Sequence, residues 1–152
     1  MIATVAAAVL RRYVARVRLF VVNPDSGSWD EVTEGAEPAG AVVRLAAPDL
    51  QRARRQRASI RAEHPEVAVI LDLEVAVASD FRTVAGALSA DVVEDGTVRY
   101  AGTVDGLTGL VADIERADVA DGVTLIPVWP SQQQAALGPE VLRRLALRRL
   151  AS

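Results

Sequence analysis

In the apolar run VAVILDLEVAV at 67–77 the only charged residues are Asp72 and Glu74. Side chains alternate along a strand, so a spacing of two puts both carboxylates on one face, with Ala68, Ile70 and Ala76. Two carboxylates on a buried strand are costly unless paired. They read either as general acid–base groups lining a pocket or as partners of Arg44, in the next apolar segment; pairing is the usual state of buried charge. A second concentration of charge is Arg52, Arg54, Arg55, Arg57 and Arg61, all within one helical stretch. Such a face could hold a phosphate or nucleic acid. Arginine stems can equally cover apolar surface while their heads stay wet, and with a net charge of −3 the solvated face is the plainer reading.

The missing residue types exclude more. Among 152 residues there is no cysteine, one histidine (His64), and no lysine, all 17 basic residues being arginine. Cysteine-ligated zinc, iron–sulfur clusters, disulfides and a thiol nucleophile are ruled out. So are a lysine Schiff base and a lysine-bearing phosphate loop. His64 stands directly before Pro65 at a helix end, where a cation is favourable, and it reads as structural rather than catalytic. The acidic balance argues against general nucleic-acid binding. With 51% hydrophobic residues the chain can build a core, and its length suits a single α/β domain over 1–152. No stretch is long and apolar enough to span a membrane, and Met1–Leu10 lacks the leading positive charge of a signal peptide, so a cytoplasmic location is expected.

The elements that must position these groups follow from periodicity. Ile2, Val5, Val9 and Tyr13 mark a helix over 2–14, and VRLFVV at 17–22 is a strand. It ends in the turn formers Asn23-Pro24-Asp25-Ser26-Gly27-Ser28; residues 29–38 show little period, so any helix there is short. AVVRLA at 41–46 is a second strand. Asp49 caps a helix over 50–62 that Pro65 stops, and 67–77 is the strongest strand. Ser79-Asp80 caps a helix carrying Phe81, Val84, Ala85 and Leu88. Asp95-Gly96 marks a hairpin within 92–100. Thr103 caps a helix over 104–117 with Val104, Leu107, Val111 and Ile114 inward. VTLIPV from Val123 is a last strand, and a final helix runs from Pro139 to Leu150. Alternating strands and helices predict parallel pairing with right-handed crossovers.

Three stretches resemble the C-terminal half of the luciferase-like flavin-dependent monooxygenases: AEPAGAVVRLAAPDLQRARRQRASIRAEH (36–64), VAVILDLEVAVASDFRTV (67–84) and VRYAGTVDGLTGLVADIERADVADGVTLIPV (98–128). The closing EVLRRLALRRL is similar to that family's terminal helix. The resemblance lies in the ordered series, not in one motif. It implies an α/β fold that is a partial (β/α)8 TIM-like barrel of about four parallel strands, with 17–22, 41–46, 67–77 and 123–128 as strands five to eight. A whole barrel takes about 250 residues, so about 100 would be missing.

The same resemblance implies FMN or deazaflavin as cofactor and an oxidoreductase or monooxygenase reaction at the reduced flavin. It places Ser26, Gly27 and Ser28 where the family cradles a flavin phosphate, with small residues and hydroxyls offering donors to an anion. The family's arginine is absent there, and Trp29, Asp30 and Glu31 follow instead, which also fits an ordinary turn. Catalytic residues stay unassigned. The alternative is a non-catalytic half-barrel that self-associates, as a homo-oligomer, or pairs with a partner chain. A third reading is a small α/β module binding a small molecule, whose strand order would differ from that of a barrel segment.

Overall fold

The computed structural model describes residues 17–23, 26–33, 41–77, 96–127 and 134–151. The expected helices over 2–14 and after Ser79-Asp80 lie outside these residues. Strands β1 (Arg18–Val22), β2 (Trp29–Glu31), β3 (Val42–Leu45), β4 (Ala68–Val77), β5 (Val98–Gly102) and β6 (Gly122–Pro127) make one sheet. Helices α1 (Leu50–Glu63), α2 (Val104–Arg116) and α3 (Gln134–Ala151) accompany it.

Two helix starts follow directly from local chemistry. The Asp49 carboxylate accepts from the Arg52 N–H at 2.7 Å, and the Thr103 hydroxyl accepts from the Gly106 N–H at 3.1 Å. Each satisfies a donor that the first helical turn leaves without a partner. α2 buries Leu107, Val111 and Ile114, and α3 buries Leu137, Val141 and Leu145, each at the spacing of one helix face. These meet Leu19 of β1, Leu71, Leu73 and Val75 of β4, and Val123 and Leu125 of β6 in one apolar cluster, with Ala53 of α1. All three helices therefore pack on the same sheet face. α3 begins five residues before Pro139, where the sequence places its start.

The strand order is β2-β1-β6-β4-β3. β4 pairs with β6 along one edge; along the other, 68–71 pair with β3 and 73–77 with β5. All these pairs and β1–β6 are parallel, whereas β1–β2 is antiparallel. This corrects the partial (β/α)8 barrel. Strands five to eight of a barrel would neighbour one another in sequence order, with 17–22 beside 41–46. Instead β1 lies beside β6, with Phe20 opposite Thr124 and the Arg18 N–H donating to the Asp121 carbonyl. Nor do strands and helices alternate: β2 follows β1 directly, because the turn residues between Asn23 and Ser28 reverse the chain. The fold is a mixed α/β sheet.

Residues 29–38 read as irregular, yet Trp29–Glu31 form β2. Val98–Gly102, read as one arm of a hairpin, pairs in parallel with β4; Asp95 and the other arm lie outside the described residues.

Candidate functional site

The sheet face turned away from the helices carries the side chains of interest. The pairing register sets Glu31, Phe20, Thr124 and Asp72 in one row across β2, β1, β6 and β4. Trp29 shares that face, two residues from Glu31 on the same strand. Its ring stacks on Phe20 with centroids 4.4 Å apart and planes at 12°, and its indole N–H donates to the Thr124 hydroxyl at 3.0 Å. The Arg44 guanidinium lies 5.3 Å from the Trp29 ring centroid, within cation–π range.

That last contact defines the shape. Trp29 is on β2 and Arg44 on β3, the two ends of the five-strand path. In a flat sheet they would stand about 19 Å apart. The sheet must curl so that the face opposite α1, α2 and α3 is concave, with the two long side chains reaching inward from opposite rims. Phe20, Ile70 and Thr124 on its floor are buried. Gly122 supplies room there: a Cβ would come within 2.5 Å of the Arg18 carbonyl oxygen and 2.7 Å of the Ile70 side chain.

The charges on this face are paired. Arg44 donates to Asp72 at 3.0 Å and Arg99 to Glu74 at 2.5 Å. Asp72 and Glu74 thus sit on one face as their spacing requires, Asp72 paired with Arg44 and Glu74 with an arginine the sequence did not single out. Arg18 holds Glu31 in a bidentate pair, its Nε–H and one Nη–H donating to the two carboxylate oxygens at 2.9 and 2.7 Å, and it also lies 5.3 Å from the Phe20 ring centroid. The Glu31 carboxyl is pushed below its ordinary value, chiefly by the Arg18 hydrogen bonds, against the opposing effect of burial, with the Thr33 hydroxyl assisting.

Ser26, Gly27 and Ser28 lie past the C-terminal end of β1, as expected, and Gly27 adopts a left-handed φ of 72°. Several of their donors are engaged locally. The Gly27 N–H donates to the Asn23 carbonyl at 2.7 Å, the Ser28 N–H to the Ser26 hydroxyl at 3.3 Å, and the Ser28 hydroxyl to Asp30 at 2.9 Å. An anion arriving here would have to displace these bonds beside a carboxylate.

The arginines of α1 divide. Arg57 donates to the Asp121 carboxylate at 2.8 Å and Arg61 to the Val67 carbonyl at 3.1 Å, tying α1 to the N-terminal ends of β4 and β6. Asp121 also accepts from the Val69 N–H at 2.8 Å. Arg54 and Arg55 are exposed. His64 caps α1, its N–H donating to the Ile60 carbonyl, and Thr103 is confirmed as a cap.

Sequence reasoning missed Phe20, Trp29 and Thr124. Thr124 carried a signal, being the one polar side chain in VTLIPV. Trp29 carried one too, as a β-former just past a glycine-bearing turn. Among the described residues no cluster of three or more potential metal ligands occurs, and no helix is long and apolar enough to cross a membrane. The chain matches no protein-family model and no curated protein.

Proposed function

We propose that this chain is a non-catalytic α/β binding module that takes a small planar heteroaromatic ligand on the concave face of its sheet, opposite α1, α2 and α3. The observation that carries the reading is the convergence of Trp29 and Arg44 from opposite rims over Phe20 and Thr124. Stacking surface, hydroxyl acceptor and overlying cation are the groups that recognise a flat ring bearing an N–H. The carboxylates of this face are engaged with arginines, which suits holding Arg44 in place better than moving protons.

Thermal unfolding with indole, benzimidazole or adenine, against cyclohexanol as a non-aromatic control, tests this. The heteroaromatic compounds are expected to raise the midpoint, as a ligand of the native state alone must, and Arg44→Ala to remove the rise. Equal behaviour of the ring compounds and cyclohexanol overturns the reading.

The second reading is a flavin- or deazaflavin-dependent oxidoreductase. It is favoured by the ordered resemblance over 36–128 and by Ser26-Gly27-Ser28 standing at the C-terminal end of β1, the side on which parallel sheets hold ligands. FMN fluorescence should then be quenched on adding the protein, and less so with Ser26→Ala/Ser28→Ala. Unchanged fluorescence of FMN and of a deazaflavin removes this reading. Association with a second copy or a partner chain rested in part on completing eight barrel strands, and the strand order withdraws that part of the argument.

A further inference from the structure

We infer that Trp29 is a built-in occupant of the ring site, so that the site is gated by its own chain and binds a planar N–H heteroaromatic only as the indole leaves. This rests on the binding reading above and adds how access to that site is controlled. Every contact such a ligand would use is already made by Trp29: the face of Phe20 at 4.4 Å, the Thr124 hydroxyl at 3.0 Å, and the Arg44 guanidinium 5.3 Å from the ring centroid. Thr124 is fully buried with Trp29 in place, so a departing indole uncovers a hydroxyl whose lost hydrogen bond must be remade by water or by the N–H of an entering ring.

The geometry also separates the part that moves from the part that holds. Trp29 stands at the turn end of β2, opposite Val22, while Glu31 at the other end is held by two hydrogen bonds from Arg18. β2 is three residues long and, among the described residues, pairs only with β1. Rotation of one side chain on this short edge strand vacates the ring slot while the Arg18–Glu31 pair keeps the hairpin in register. Asp72 holds Arg44 at 3.0 Å without involving Trp29, so the cation stays over the slot whether or not the indole fills it. A tethered indole competes at an effective concentration on the order of millimolar, which lowers the apparent affinity of any free ring.

The test replaces the tethered ring by a free one. Trp29→Ala is titrated with indole, and with 1-methylindole, which has the ring without the N–H; ring binding is read by calorimetry and folding by circular dichroism. Indole is expected to bind Trp29→Ala about tenfold or more tighter than it binds the unaltered protein, and to bind it better than 1-methylindole does. Adding Thr124→Val should erase the difference between the two probes. Trp29→Phe, which keeps a ring but has no N–H, serves if the alanine variant is unfolded; it should take up indole more tightly than the parent. Equal indole affinity of parent and variants overturns the gate while leaving the binding reading standing. Absence of indole binding by folded Trp29→Ala and by the parent overturns both.

Discussion

At the scale of single residues the concave face is a set of arginine-centred pairs around two stacked rings. Asp72 was legible because two charges in an apolar strand demand partners, and Arg44 lay in the adjacent strand. Trp29 was not, since its partners Phe20, Thr124 and Arg44 come from three other strands and no local pattern links them. Asp72→Asn weakens the support of Arg44 and is expected to cost about 1 kcal/mol, as the pair is partly exposed. Urea unfolding measures it, and the emission of Trp29 in a Trp129→Phe background should shift as the guanidinium loosens. Glu31 sets a pH dependence. Its folded value lies below its unfolded one, so the stabilisation is complete above the ordinary glutamate range and is lost as pH falls through the lowered value. Glu31→Gln should therefore unfold with a smaller loss of stability on the acid side than the parent.

Among the elements, those set by neighbours in sequence were readable. The caps Asp49 and Thr103 and the inward face of α2 follow from residues within a turn or two. β2 and β5 were not, because strand pairing depends on what lies beside the segment: β5 is held by the C-terminal half of β4, and β2 by the turn that folds it back on β1. Thr103→Ala leaves the Gly106 N–H without its acceptor and should cost about 1 kcal/mol in urea unfolding. Gly122→Ala tests the tight passage of β6 beside β1. Its Cβ would press on the backbone oxygen of Arg18, which cannot turn aside, and a loss of about 1–3 kcal/mol is expected. An unchanged denaturation midpoint for that variant would show that β1 and β6 are not so closely joined.

For the whole molecule, the presence of strands and helices was legible, but the expected half-barrel of alternating parallel strands was wrong, and the strand order could not be read. Parallel strands offer similar edges, and the sequence holds nothing local to say that β1 joins β6 instead of β3. That one pairing brings β2 to one rim and leaves β3 at the other, and the curl between them makes the face concave. The shared surface is thus a property of topology, assembled from 18–22, 29–31, 44, 70–74 and 122–126. Its binding role is tested most directly by following the Trp29 indole N–H resonance in the Trp129→Phe protein during titration with benzimidazole. The indole signal is expected to move together with the amides of Phe20, Asp72 and Thr124. Signals that stay fixed there throughout the titration, or move only in the Asn23–Ser28 turn, would contradict a ligand site on the concave face.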